Sequence, residues 1–251
     1  MKPIKCLNCN TPVDNKFCPN CGQKTDTHRI TLKHFLFHDI VHGVWHMEKG
    51  ILFTLKQALI RPGKASLEYI EGKRIRYYNV FYLILLLTAL GIFIDNIYAT
   101  AFENYVSYIE PIPSSATSDF LTKYVKFFLL LAIPVYALNS FVLFNKKKLL
   151  YSEHLIIFGM HFLGIIVITQ FQSLIVFTEF VESLSFIADW SNAYITLLLL
   201  VYIINGLYGA FGKDYKLYNF IIRIIIYIGV CLLEFRLLSL IIKYYLEHYQ
   251  V

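Results

Sequence analysis

Four cysteines near the N-terminus carry the clearest chemistry in this chain. They form two CxxC pairs with eight residues between them, in the segment CLNCNTPVDNKFCPNCG. Each pair makes a tight turn that directs two thiolates to one point, so Cys6, Cys9, Cys18 and Cys21 can complete a tetrahedral sulfur site. We therefore predict a zinc ribbon over residues 1–27, with a structural Zn²⁺ that supplies much of its folding free energy. A redox dithiol pair or an iron site is the alternative.

The ribbon lacks the features of a nucleic-acid-binding surface. Its lysines are scattered and are not interleaved with aromatic residues on a basic face. Phosphate and base contacts need such a face, so we expect a protein partner or simple anchoring, and no nucleic acid. The first 25 residues contain no apolar core before a cleavage site. We therefore expect no secretory signal and a cytoplasmic N-terminus.

A histidine-rich segment follows the ribbon. Apolar residues at helical spacing predict an amphipathic helix over residues 32–47, and histidines recur on it every four residues. At about 100° per residue, Asp39, His42 and His46 lie within about 60° of one another on this helix. Imidazoles at this spacing beside a carboxylate could bind a transition metal or relay protons. The alternative is that these histidines lie at the level of the lipid headgroups.

The composition indicates a membrane protein. Apolar residues make up 57% of the chain and charged residues 16%, against about 25% charged residues in a soluble domain. Five apolar segments approach the length of about 20 residues that crosses a bilayer. These spans lie near residues 79–98, 123–144, 154–177, 191–211 and 219–244. The predicted fold is an all-α polytopic membrane protein with about five transmembrane helices, in which residues 79–251 form the membrane domain.

Residues 28–78 are predicted to form cytoplasmic amphipathic or interfacial helices between the ribbon and the first span. The segment ILFTLKQALI is too short to cross a bilayer, so we expect it to lie on the membrane surface. A turn at RPGK and a short helix that starts near Ser66 follow. Basic residues then meet tyrosines at the water–lipid boundary, where they would anchor the first span and contact anionic lipid headgroups. The candidate headgroup contacts are Arg61, Lys73, Arg74 and Arg76.

The charges of the loops predict the orientation in the membrane. Residues 99–122 and 179–190 contain acidic residues but no lysine or arginine. The other two loops are basic, and they carry Lys146, Lys147, Lys148, Lys213 and Lys216. Basic and acidic loops alternate as the positive-inside rule requires. We therefore expect a multi-pass protein of the bacterial inner membrane, with its N-terminus in the cytoplasm and its C-terminus outside.

Ionisable residues in the predicted spans need a partner or a function, because an ionised side chain at the bilayer centre costs about 2.5–3.5 kcal/mol. Five such residues stand out: Glu153 and His154 at the start of the third span, His161 two turns further on, and Glu234 and Arg236 near the middle of the fifth span. The three in the third span could meet the ligands of residues 39–46 and form a second metal or polar site. Glu234 and Arg236 would form ion pairs with other helices or line a polar pathway.

Four motifs occur in order along the chain: CLNCNTPVDNKFCPNCGQK, HDIVHGVWHMEKG, RPGKASLEYIEGKRIRYYN and EHLIIFGMHF. They cover most of the first 80 residues and one later helix. In this order they resemble the bacterial membrane family described as domain of unknown function 3667. The family usually has proline after its tyrosine-rich asparagine motif, whereas Val80 follows Asn79 in this chain. The resemblance implies a cytoplasmic zinc ribbon on a helical membrane domain, and it implies no activity.

The sequence therefore predicts an integral inner-membrane protein whose ribbon is a docking, regulatory or sensing module without its own catalysis. No HExxH, GxSxG or P-loop motif is present in the chain. The alternative hypothesis is an intramembrane metalloenzyme, or a metal- or proton-coupled transporter, that uses the histidine-rich site. A transporter would be favoured by discontinuous spans, for which only Pro134 and Gly164 offer candidate breaks.

Overall fold

The computed structural model describes residues 4–25, 50–106 and 131–249 of the chain. The N-terminal part contains a two-stranded antiparallel hairpin, in which β1 (Ile4–Lys5) pairs with β2 (Pro12–Val13). Val13 is buried against the cysteines. So short a segment cannot build a sufficient hydrophobic core, and its small buried centre is made largely of sulfur.

The other described residues are helical apart from short connections. Two short helices precede the long ones, and several loops between helices contain 3₁₀ turns. The helices are α1 (Ile51–Ile60), α2 (Pro62–Ile70), α3 (Val80–Val106), α4 (Leu131–Leu143), α5 (Tyr151–Val176), α6 (Ser185–Phe211) and α7 (Leu217–Tyr249).

Four helices in the described part of the chain are long and apolar enough to cross a membrane. They cover Val80–Phe102, Tyr151–Phe180, Glu182–Asp214 and Leu217–Tyr245. Their presence confirms a membrane-helix-rich fold, and each overlaps a span that the sequence pattern predicted. The predicted span at 123–144 is described only from Leu131 on, as α4, and the residues before it lie outside the described ranges. A total of about five spans therefore stays a prediction.

Helix α5 lies at the centre of the bundle. It packs against α3, α6 and both short helices. Every residue from Ser152 to Gly164 is buried, as expected of a core helix that is largely apolar on all sides. Helix α7 differs, because it carries a long row of exposed apolar side chains. Such a surface is compatible with contact with lipid tails, which are as apolar as leucine.

The short helices α1 and α2 pack into the bundle. Helix α1 lies along α5, and α2 lies between α5 and α6. The sequence placed ILFTLKQALI on the membrane surface, whereas Thr54 and Ala58 of this segment are fully buried in the structure. The sequence also placed a turn at RPGK and a helix start near Ser66. Instead α2 begins at Pro62, whose ring fixes the backbone angle that a first helical residue needs.

Small residues allow the close approach of α2 to α6. A Cβ atom added to Gly63 would overlap the backbone of Gly206 and Ala210. A Cβ atom added to Gly206 would overlap the ring of His161 and touch Pro62. Helices α2, α5 and α6 therefore meet at one place, as helices in membranes often do where small residues let their backbones approach. We call Gly63, Gly206 and Ala210 the glycine contact.

Candidate metal centre and its contacts

The four ribbon cysteines converge on one point. The Sγ atoms of Cys6 and Cys21 are 3.6 Å apart, and those of Cys9 and Cys18 are 3.5 Å apart. All four sulfurs lie within 4.8 Å of one another, and all four cysteines are free thiols. A tetrahedral ion with metal–sulfur bonds of about 2.3 Å separates its ligands by about 3.8 Å. The arrangement therefore fits a metal ion bound by four cysteines.

Two matching backbone turns place these thiols. In the first turn the Asn10 N–H donates to the Cys6 carbonyl at 2.8 Å, and in the second the Gly22 N–H donates to the Cys18 carbonyl at 2.8 Å. Asn10 has a φ of 61° and Gly22 a φ of 74°. Asparagine and glycine adopt this left-handed conformation at low cost, so the residue after each CxxC pair suits its turn.

The thiols of the first pair differ in acidity. Burial raises the pKa of the Cys6 thiol to about 11. The Thr11 hydroxyl, 3.2 Å from the Cys9 sulfur, lowers the pKa of the Cys9 thiol to about 5. A metal ion binds thiolates, so loading of the site releases protons and metal affinity falls as the pH falls. Four protein ligands leave no coordination position for a substrate, which suits a structural ion.

One side chain fastens the ribbon to the membrane domain. The Gln23 Oε1 atom accepts a hydrogen bond from the Ile75 N–H at 2.9 Å, across 52 residues of sequence. Gln23 is only 4% exposed, and its carbonyl accepts the Cys18 N–H at 2.8 Å. The second cysteine turn therefore fixes the residue that holds the loop before α3. We call the hydrogen bond between Gln23 and Ile75 the ribbon contact.

The loop held by Gln23 contributes to a group of charges around Glu68 of α2. Arg61 Nη1 lies 3.0 Å from Glu68 Oε1, and Arg76 Nη2 lies 3.4 Å from Glu68 Oε2. The Tyr77 hydroxyl donates to Glu68 Oε2 at 2.9 Å. Burial would raise the pKa of the Glu68 carboxyl, but the Tyr77 hydrogen bond and the two arginines outweigh it and hold this pKa below its usual value. We call Arg61, Glu68, Arg76 and Tyr77 the Glu68 cluster.

The four basic residues that the sequence assigned to lipid headgroups lie around this cluster. Arg61 and Arg76 are paired with Glu68, and both arginine side chains are partly exposed. Arg74 donates from Nε to the Tyr69 carbonyl at 3.3 Å, and its guanidinium carbon lies 5.7 Å from the centre of the Tyr69 ring. The charge of Lys73 adds to the field that lowers the pKa of Glu68. Contact of these residues with lipid stays a prediction.

The two histidines of α5 are buried two turns apart. His154 is fully buried, its Nδ1 atom lies 2.5 Å from the Ser140 Oγ of α4, and its ring stacks on Phe211. The His161 Nδ1 atom lies 2.6 Å from the Ile157 carbonyl, to which it donates. Within the described residues, the Nε2 atoms of both rings have no hydrogen-bond partner. Each ring thus has one polar atom without a hydrogen bond among the described residues, and the Nε2 atom of His161 faces the backbone of α6 at Gly206.

Glu153 caps the start of α5, because its Oε2 atom accepts the Leu150 N–H at 2.7 Å.

In the part of the chain that the structure describes, the ribbon cysteines are the one group of three or more metal-ligating side chains that lie together. Asp39, His42 and His46 lie outside the described residues. A second metal site formed by these three residues with α5 therefore stays a prediction.

Glu234 and Arg236 of α7 have different surroundings. Glu234 Oε2 accepts a hydrogen bond from Asn139 Nδ2 of α4 at 2.8 Å. Its hydrogen-bond partner is thus a neutral amide, which links α4 to α7. Arg236 is exposed on the surface of α7. The hypothesis of a polar pathway through these two residues stays open.

Sequence reasoning did not single out Gln23 or Glu68. For Glu68 a signal existed, because it follows Arg61 by two helical turns and can lie on the same helix face. For Gln23 the signal is weak: a single uncharged residue follows Gly22 in the motif CGQK. Its importance depends on a contact with a loop far away in the sequence.

Comparison with known proteins gives one family match. Residues 48–90 match the family model described as "Protein of unknown function (DUF3667)". This segment of the chain is similar to that family. This match confirms the family resemblance over residues 48–90, which include the motif RPGKASLEYIEGKRIRYYN, both short helices, the Glu68 cluster and the start of α3. No curated protein and no solved structure matches the chain.

Proposed function

We propose that this DUF3667 chain is a bacterial inner-membrane protein with a zinc-loaded ribbon on its cytoplasmic side, and that the ribbon is a docking and regulatory module without its own catalysis. The ribbon contact carries this proposal. Gln23 belongs to a cysteine turn and holds the loop that leads into α3. A ribbon in this position can transmit its metal state, or the binding of a partner, to the membrane domain.

The surface of the ribbon supports contact with a partner protein. Leu7 and Phe17 are 47% and 58% exposed. Each is next to a metal-ligating cysteine, so a bound ion would hold both side chains in fixed positions. Apolar side chains that a rigid unit exposes are typical of protein contact surfaces. We therefore assign the partner contact to this surface.

Site-specific photo-crosslinking in intact cells tests the docking role. A photoreactive phenylalanine analogue at Phe17 is expected to give one discrete protein adduct. Replacement of all four ribbon cysteines by serine should abolish the adduct, and His161→Ala should leave it unchanged. The opposite ranking of these two variants would contradict the proposal, because an enzyme needs its histidines more than its ribbon.

A second candidate function is an intramembrane metalloenzyme or a metal- or proton-coupled transporter. The buried Nε2 atoms of His154 and His161 favour it, since neither has a hydrogen-bond partner among the described residues, and such atoms need an explanation. Metal content separates the two functions. Metal that remains without the ribbon cysteines, and is lost when His42 and His161 are also replaced, would favour this candidate. A metal-free cysteine variant would favour the docking role.

A further inference from the structure

Two loops at one end of the bundle bring cationic side chains together. One loop follows α4, and the other connects α6 to α7. The cations of these loops and of the first turns of α7 are Lys146, Lys147, Lys148, Lys213, Lys216 and Arg223. Within residues 144–150 and 211–223, Asp214 is the single acidic residue. This end of the bundle therefore has a large excess of positive charge.

Contacts between the loops hold these cations in place. Lys147 Nζ lies 3.5 Å from Asp214 Oδ2 and so uses the one carboxylate. Lys146 donates from Nζ to the Asp214 carbonyl at 3.0 Å, and from its backbone N–H to the Tyr215 hydroxyl at 3.1 Å. The loop after α4 is thus fastened to the loop before α7.

Lys146 and Arg223 lie over the same aromatic ring. The Lys146 Nζ atom is 4.6 Å and the Arg223 Cζ atom 4.7 Å from the centre of the Tyr215 ring. Tyr215 is only 7% exposed, so its ring is a fixed platform. Arg223 also donates to the Leu143 carbonyl at the end of α4. Within the described residues, no carboxylate forms an ion pair with Arg223. Since both cations lie within 4.7 Å of one ring centre, an anion bound beside them would relieve their repulsion.

Apolar surface lies directly beside this pair of cations. Arg223 lies about 9 Å along the helix axis from Leu217, the first residue of α7. Around it, α7 exposes Ile222 and Ile226, and α4 exposes Val142 at its end. A phosphate group at Lys146 and Arg223 would therefore have room for an attached acyl chain along α4 and α7. A free phosphate ion would leave this apolar surface unused.

We propose that Lys146, Tyr215 and Arg223 form a binding site for the headgroup of an anionic phospholipid, between the end of α4 and the start of α7. The net negative charge of such a headgroup, carried by its phosphodiester, offsets the positive charge of Lys146 and Arg223. The acyl chain lies on the apolar faces of the two helices. Basic pockets between helix ends are a known kind of headgroup site in membrane proteins. This site is separate from the basic residues before α3, and it does not depend on the function of the ribbon.

Native mass spectrometry of the detergent-purified full chain tests this site. The probes are phosphatidylglycerol and phosphatidylcholine with identical acyl chains. The wild type is expected to bind phosphatidylglycerol at several-fold higher occupancy, and the double variant Lys146→Gln, Arg223→Gln should lose this preference. The control variant Lys5→Gln, Lys24→Gln removes the same amount of positive charge from the ribbon. It should keep the preference for phosphatidylglycerol. An unchanged preference in the first variant, or equal loss in both, would overturn the proposal.

Further variants separate the loss of charge from a folding defect, and a competition experiment separates a bound lipid from a soluble phosphate. Arg223→Lys keeps the charge and should retain most of the preference; a loss as large as that of the glutamine variant would overturn the electrostatic role. Lys146→Gln alone changes an exposed side chain and should lose about half of the preference. An excess of glycerol 3-phosphate should fail to displace the lipid, because it lacks the acyl chain. Complete displacement would assign the site to a soluble phosphate instead.

Discussion

The Oε1 atom of Gln23 accepts a hydrogen bond from the Ile75 N–H at 2.9 Å, and so joins the ribbon to the loop before α3. The Gln23 Nε2 atom donates to the Lys24 carbonyl at 3.3 Å, which fixes the direction of the amide group. The residues after Ile75, Arg76 and Tyr77, both contact Glu68. A continuous set of contacts therefore leads from a cysteine turn to helix α2, which packs between α5 and α6.

Gln23→Ala is expected to destabilise the protein without reducing its metal content. The Ile75 N–H loses its acceptor, and the loss of a part-buried hydrogen bond costs about 0.5–1.5 kcal/mol. For a chain of this size each kcal/mol corresponds to a fall in Tm of about 2–4 °C. Thermal unfolding in detergent measures the change. Asn15→Ala alters an exposed ribbon residue and should leave the Tm within about 1 °C. Equal Tm values for Gln23→Ala and Asn15→Ala would show that the ribbon contact contributes nothing to the stability of the protein.

Cys18→Ser is expected to remove the bound metal ion. The purified wild type should hold one ion per chain, because four thiolates at these distances form one closed site. Mass spectrometry of the metal content measures this, with zinc as the expected ion. Cys231→Ser is the matched control, since Cys231 lies in α7 and not in the ribbon, and it should retain the ion. Retention of one full equivalent by Cys18→Ser would be incompatible with the proposed metal centre.

Glu68→Gln is expected to lower the Tm at pH 7 and to have less effect in acid. The Tyr77 hydroxyl and the two arginines hold the pKa of Glu68 below its usual value in the folded chain. Such a group stabilises the folded chain fully above its unfolded pKa, and this stability is lost as the pH falls through the folded pKa. The partly exposed arginine pairs limit the effect to about 1 kcal/mol. Thermal unfolding at pH 7 and at pH 4 measures it.

The neighbouring variant Glu71→Gln is the control for Glu68→Gln. Glu71 is exposed, so its replacement should leave the Tm unchanged at both pH values. A Tm difference between wild type and Glu68→Gln that grows on acidification would have the wrong sign for a carboxyl stabilised in its ionised form.

Gly63→Ala is expected to be strongly destabilising, because the added methyl group would overlap the backbone of α6. Overpacking of this kind costs about 1–3 kcal/mol. Gly229→Ala is the matched control, since nothing lies within 4 Å of a Cβ atom there. It removes a helical glycine and should stabilise α7 by a few tenths of a kcal/mol, up to about 1 kcal/mol. Tm values in detergent give the comparison, and equal shifts for both variants would contradict the glycine contact.

The elements that the sequence predicted well depend on local patterns. The spacing of Cys6, Cys9, Cys18 and Cys21 is enough to predict their convergence, because each pair lies in one turn. The long apolar segments likewise predict the four membrane helices, although α6 begins at Ser185, earlier than residue 191. Segment length and hydropathy identify a span, but they do not fix where its helix begins.

The packing of α1 and α2 could not be predicted in the same way. Length alone placed α1 on the membrane surface, because ten residues cannot cross a bilayer. Its position against α5 depends on small residues far apart in the chain, such as Ala58 and Gly164. Each of these is unremarkable by itself and acquires a role only when the helices meet. The same holds for Gln23, whose partner Ile75 is identified only by the fold.

Hydrogen exchange of the Ile75 amide tests the central claim most directly. The peptide covering residues 72–78 would be followed by mass spectrometry in the metal-loaded wild type, after removal of the metal by a chelator, and in the variant that lacks the four ribbon cysteines. The account predicts slow exchange in the loaded protein and exchange at least tenfold faster in the other two samples. Equal exchange in all three would show that the metal state of the ribbon does not reach the membrane domain.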